Sequence, residues 1–179
     1  MSKEYTCVDK KGAVNAMLML FASCAQAILS DEDWIRCHFS FHEWDEQTFG
    51  VNVIDFVQNR TAKIFFMYDF DALNRDDYNY CKVFADMNER ANYMRGFSRV
   101  TRSIVHEAGH LATIKDILDA IGEDNLWLQR AKAHCVHDYI HLPDEWAATE
   151  WAIKWLSDPE NRKMAKEFEK KFFSCFVAE

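Results

Sequence analysis

Apolar residues recur with helical spacing along most of this chain, and one stretch breaks the rhythm. Residues 11–29 carry apolar side chains on successive turns and predict a first helix. From Ile35 to Phe70 the period shortens. Cys37–Phe41, Gly50–Ile54 and Ala62–Tyr68 read as short strands, separated by polar turns at Glu43–Gln47 and Gln58–Thr61. Helical spacing returns after Asn74. Helices are expected from Asp76/Asp77 through Arg90, from Phe97 to Ile121 with Gly122 as a stop, from Asp124 to His141, and from Pro143 to about Ser157. Ser157-Asp158-Pro159-Glu160 supplies a capping serine, an acid three residues on and a proline in the first turn, which predicts a last helix over 159–177. Met164, Phe168, Phe172 and Cys175/Phe176 fall to one side of it, a stripe for core packing first and for a protein partner second. The pattern predicts one α+β domain over 1–179, predominantly α-helical, with a small, mostly antiparallel sheet.

Composition narrows the function classes. A hydrophobic content of 49% excludes a disordered chain. The net charge of −8 argues against broad nucleic-acid or anionic-membrane binding, since both favour a basic surface. Six cysteines (Cys7, Cys24, Cys37, Cys81, Cys135, Cys175) form no close pair of the zinc-ribbon or redox kind, and point to a reduced, cytoplasmic protein. The apolar run Gly12–Leu29 follows Lys10-Lys11, as an export signal would. Asn15, Ser23 and Gln26 interrupt it, and Glu4 and Asp9 dilute the positive flank, so a buried helix is the expectation.

The strongest chemical signal is His106-Glu107-Ala108-Gly109-His110. Two imidazoles at i and i+4 project from one side of a helix and can grip one metal ion. Glu107, about 100° around the helix from His106, can address a metal-activated water as general base. Ile104, Val105, Leu111 and Ile114 suit a buried helix, and the small Ala108 and Gly109 leave room for a close backbone approach to the metal.

A zinc site needs a third protein ligand. Helical phase places Glu145 inside the apolar stripe of Ala148, Trp151, Ala152, Trp155 and Leu156, where a carboxylate must find a partner. Glu150 falls nearly opposite, four residues before Lys154, and reads as a solvated ion-pair residue. Glu145 is therefore the expected third ligand, with a first-turn acid complementing its helix as the simpler role. His134, His137 and His141, spaced to share a helical face, are the other candidates. His137, His141 or Tyr139 could also bind substrate or stabilise an oxyanion.

With Pro143-Asp144-Glu145 opening a later helix, residues 97–156 resemble the zincin metallopeptidases of the gluzincin type. The glutamate followed by alanine, and then an aromatic-alanine pair, looks like the compact ImmA/IrrE-type domains of phages, mobile elements and bacterial regulators. The resemblance implies zinc held by His106, His110 and Glu145, Glu107 as base, and a small sheet beside the active-site helix. Two departures stand out. The ImmA/IrrE pattern sets its ligand glutamate closer to the aromatic-alanine pair, where this chain has Ala147, and the usual gluzincin acid four residues beyond the ligand is Thr149 here.

The expected function is a zinc-dependent peptidase, selective for a protein target, with an extended peptide adding to the sheet edge near Lys63–Tyr68. The alternative is a non-catalytic acidic binding or inhibitor protein on the same scaffold.

Overall fold

The computed structural model of the chain describes residues 5–28, 36–42, 48–51, 61–67 and 96–178. Two strands, β1 (Tyr5–Cys7) and β5 (Phe176–Ala178), pair antiparallel and bring the two ends of the described chain together, with Cys7 opposite Phe176. Helix α1 (Lys10–Ile28) follows β1, its first turn closed by the Asp9 carboxylate, which accepts from the Gly12 amide at 2.8 Å. Its Ala13, Ala16, Met17, Leu20, Phe21, Cys24 and Ala25 form one buried stripe. The apolar run is thus part of the core. No helix among the described residues is long and apolar enough to cross a membrane.

Strands β2 (Arg36–His42), β3 (Thr48–Val51) and β4 (Thr61–Met67) form a second sheet in the order β2-β4-β3. β3 runs antiparallel to β4, whereas β2, the longer partner, runs parallel to it. The sheet is therefore mixed. β3 is intercalated in sequence between two strands that lie side by side, so the chain reverses twice and returns parallel. This order also corrects the expected peptide-binding edge: β4 is the central strand, and Ile64–Met67 are paired on both sides. The expected helix over 76–90 lies outside the described residues.

Among the described residues five further helices follow: α2 (Arg99–Ile121), α3 (Glu123–Lys132), α4 (Val136–Ile140), α5 (Pro143–Ser157) and α6 (Pro159–Phe173). Ser98 caps α2 by accepting from the Thr101 amide, and Gly122 ends it at a φ of 78°, where a side chain would be strained. The stretch expected to be one helix over 124–141 is two. Ala133 and Cys135 are extended between α3 and α4, so His134 lies outside either helix.

The last helix starts at Pro159 as expected but is capped by a different residue and ends earlier. Asp158, not Ser157, is its cap, accepting from the amides of Glu160 and Asn161 at 2.9 and 3.1 Å. Ser157 still belongs to α5, where its hydroxyl donates to the Ile153 carbonyl. A carboxylate at a helix start gains from the dipole as well as from the hydrogen bonds. Beyond Phe173 the chain turns out of the helix at Ser174 and Cys175 and forms β5, with Cys175 and Phe176 both buried in the core.

The helices pack in an order that positions α2 at the centre. Its most extensive neighbour is α5, with α1 on another flank and β3 beside it. α6 lies on α1, and Phe168 and Phe172 of its apolar stripe are buried in the core, while Met164, at the start of the stripe, is exposed. Phe21, Phe172, Met17, Ile104, Ile114 and Leu156 are fully buried, each contributing roughly 1.5–3 kcal/mol of transfer free energy. In the seam between α2 and α5 Gly109 meets Ala148, with Ala152 one turn further along α5, all three buried. Small residues there let the two backbones approach closely.

Candidate metal centre

Helix α2 presents His106 and His110 one turn apart on the face that meets α5. Their rings stand edge to face, 4.7 Å between centroids and at 86° to one another. From the first turn of α5, Glu145 reaches into the same place. Its Oε2 lies 3.1 Å from His106 Nε2 and 3.5 Å from His110 Nε2. The three side chains are mostly buried, with 15%, 7% and 7% of their surfaces exposed. No other group of three such side chains with ligating atoms this close is found among the described residues, and these atoms all lie within 4.8 Å of one another.

Burial alone would push the Glu145 carboxyl up. Hydrogen bonds from His106 and His110, and the charge those rings can carry, outweigh it and hold the group far below the usual carboxylate range. The surroundings of Glu145 thus favour its anionic form in a largely buried seam.

That anion has a second set of contacts. Arg130, near the end of α3, donates from Nη2 to Glu145 Oε1 at 2.9 Å. The same guanidinium donates from Nε to Asp144 Oδ2 at 3.0 Å, and from Nη2 to that oxygen as well. Asp144 is the more deeply buried partner, with 1% of its side chain exposed against 27% for Arg130. Tyr139, on α4, lies under Arg130, whose Cζ is 5.7 Å from the ring centroid. Its hydroxyl is pushed up first by local burial and then by the Glu145 charge.

The histidines differ in how their second ring nitrogens are held. His106 Nδ1 lies 3.2 Å from the Thr149 hydroxyl, one helical turn beyond Glu145. Thr149 therefore stands where the gluzincin pattern has its acid, and it touches the ring of a motif histidine. His110 Nδ1 is buried with no hydrogen-bond partner among the described residues.

The donor set can hold a metal ion. Two imidazole nitrogens and one carboxylate oxygen are a common set for zinc, and bonds of about 2.0–2.2 Å at tetrahedral angles set neighbouring ligand atoms about 3.3–3.5 Å apart. The 3.5 Å from Glu145 to His110 meets that spacing, the 3.1 Å to His106 is slightly shorter, and the three ligand atoms together lie within 4.8 Å.

The other candidate residues are placed as follows. Glu107 is half-buried on the same turn as His106. Glu150 is exposed, on the side of α5 away from the seam, as its helical phase requires. His134 is exposed in the break before α4, which removes it from any shared histidine face. His137 belongs to α4, and its side chain lies outside the described residues. His141 ends that helix, exposed and stacked on Trp146 with 5.7 Å between centroids.

Three participants escaped the sequence reading. Thr149 carried a usable signal, since i+4 from Glu145 on a buried helix face must be near the same neighbours. Arg130 and Asp144 carried none, because reading 124–141 as a single helix hid the turn that brings α3 onto α5. The close backbone approach expected at Gly109 is found: a Cβ there would stand 2.9 Å from the Ala148 Cα, so its smallness admits the backbone of α5, the helix that carries Glu145.

No protein-family model matches this chain, and no match is found among curated proteins or solved structures.

Proposed function

We propose that this protein is a zinc-dependent peptidase of zincin type, with His106, His110 and Glu145 as the metal ligands and Glu107 as the general base. One observation carries the reading: both motif histidines direct Nε2 at a single oxygen of a glutamate from a separate helix. Two buried imidazoles and an acid converging without a shared function would be a costly arrangement to keep.

His106, His110 and Glu145 would hold the zinc, and the metal would contribute Lewis acidity towards water and the scissile carbonyl. Glu107 takes the proton of the attacking water and returns it to the leaving amine, so that one carboxylate serves as base and then acid. Thr149 holds the ring of His106 in orientation through Nδ1, an interaction that keeps Nε2 aimed into the site. Tyr139, whose hydroxyl is kept protonated by local burial and the Glu145 charge, is the candidate donor to a developing oxyanion.

The substrate is an extended peptide. Among the described strands β2 and β3 are the edges, and β3 is the one that lies next to α2, the helix of the two histidines, so β3 is the edge to which a peptide strand would add. The thiols of Cys7, Cys24, Cys135 and Cys175 are free, chemistry that persists in a reducing compartment, and a cytoplasmic location belongs to this reading.

The test is paired. Metal content of the purified protein is measured first, then cleavage of a peptide library by wild type and by Glu107→Gln. Wild-type protein that neither carries zinc nor takes it up sinks the proposal. Stoichiometric zinc with equal, negligible cleavage by both proteins would favour a non-catalytic binding protein on a zincin scaffold.

A further inference from the structure

Glu145 uses its two oxygens for different purposes. Oε2 faces His106 and His110, while Oε1 accepts from Arg130 at 2.9 Å. Resting on the zinc-site reading above, we propose that Arg130 is a positioning residue: anchored on Asp144, it ties Oε1 and presents Oε2 alone to the metal.

The need for such a residue follows from the side chain. The last torsion of a glutamate is broad, so burial against small residues leaves the carboxylate free to rotate and to offer one oxygen or both. Ala148 and Ala152, which line the seam nearby, have no polar atom beyond the backbone with which to stop it, and the Tyr139 hydroxyl, which also hydrogen-bonds Glu145, turns about its own bond. A guanidinium can, because its N–H groups form a rigid fork. Arg130 spends that fork on two adjacent acids, Nε and Nη2 on Asp144 and Nη2 on Glu145.

Asp144 explains why a cation is tolerated here. A lone guanidinium this close to the site would repel a dication. Asp144, with 1% of its side chain exposed, sits on Arg130 and offsets its charge. The pair presents hydrogen bonds without a net charge. Both acids come from consecutive residues at the start of α5, so one arginine from α3 fixes the rotation of the ligand and the seat of the helix that bears it.

The alternative is that Arg130 merely ties α3 to α5. A double-mutant cycle separates the two. Arg130→Gln with Asp144→Asn replaces the ion pair by a neutral, hydrogen-bonding pair with no change in net charge. Zinc affinity of the metal-free protein is read by competition with a chromophoric chelator, alone and in a Glu145→Gln background. The proposal expects the double change to weaken zinc binding roughly 10–100-fold when Glu145 is present. With Glu145→Gln already made, the same change moves affinity by less than about twofold. The visible spectrum of the Co²⁺-loaded double variant weakens as well, as a freed carboxylate adds its second oxygen to the coordination.

Equal zinc affinity in wild type and double variant overturns the proposal, and so does an equal loss in both backgrounds, which would mean that Arg130 acts through the fold. If the double variant does not fold, Arg130→Lys, which keeps the charge and loses the fork, must still weaken zinc binding only when Glu145 is present. Wild type without zinc affinity defeats the peptidase reading and this inference together. A zinc-binding wild type with an unaffected double variant defeats this inference alone.

Discussion

Gly109 of α2 lies so near Ala148 of α5 that a Cβ at Gly109 would stand 2.9 Å from the Ala148 Cα, and closer still to its carbonyl oxygen. Real Cβ atoms do not approach backbone that closely, so the pair defines how near the two helices can come. That distance matters because the ligating side chains sit on either side of it, His106 and His110 on α2 and Glu145 on α5. Glu145 has a short reach. A wider seam would carry its carboxylate away from the imidazoles.

Gly109→Ala should therefore be destabilising in spite of helix propensity. Alanine gains about 0.5–1 kcal/mol over glycine inside a helix, while forcing a methyl group into a closed interface costs typically about 1–3 kcal/mol. The net expectation is a loss of roughly 1–2 kcal/mol in urea unfolding, with weaker zinc binding as the helices separate. An unchanged midpoint with full zinc affinity would show that the seam is not set by this contact.

Glu107→Gln tests the base apart from the metal. Glu107 is half-buried beside His106 and is not one of the three convergent side chains. The variant should keep wild-type zinc stoichiometry while turnover of any peptide substrate falls roughly 10²–10⁴-fold, the usual contribution of a positioned general base. Loss of zinc in this variant would reassign Glu107 to the ligand set.

Much of this site was legible in the sequence, for one reason: helical period converts spacing into direction. The i, i+4 spacing of His106 and His110 sets them on one face, and the phase of Glu145 among Ala148, Ala152 and Leu156 sets it toward the core and leaves Glu150 outside. Long-range pairing is not periodic. Nothing in the spacing of residues 36–67 tells β4 that it will be the central strand, or that β2 will run parallel to it. The break at residues 133–135 was hidden for a different reason. Ala133, His134 and Cys135 contain neither glycine nor proline, and the helix gives way where Asp138 accepts the His134 amide at 3.1 Å. The Arg130 contacts with Asp144 and Glu145 depend on that break.

Thr149→Val should isolate the support given to His106. Valine keeps the shape of threonine and removes the hydroxyl that lies 3.2 Å from His106 Nδ1. Zinc affinity is expected to fall roughly 10-fold, the lower end of the range for lost support of a metal-binding histidine, because one hydroxyl is a weaker partner than a carboxylate. Thr149→Ser should recover most of the loss in a chelator competition. Equal losses for valine and serine would point to packing instead, since serine keeps the hydroxyl and lacks the methyl.

The acid limb of stability should bear the mark of Glu145. Its folded-state pKa is depressed, held down by His106 and His110 against the opposing effect of burial. A depressed carboxyl contributes stability that is fully present above its unfolded pKa and is lost as pH falls toward the folded one. With an ordinary value of 4.5 for the unfolded group, the contribution should stand through neutral pH and decline below 4.5. In metal-free protein, the unfolding free energy of wild type should exceed that of Glu145→Gln by roughly 1.5–3 kcal/mol near neutrality, the worth of hydrogen bonds to a charged group. Urea titrations from about pH 7 to about pH 3 should show that gap hold and then narrow on the acid side. A gap that widens in acid would mean that Glu145 takes up its proton more readily folded than unfolded, and the anionic carboxylate between the two histidines would have to be abandoned.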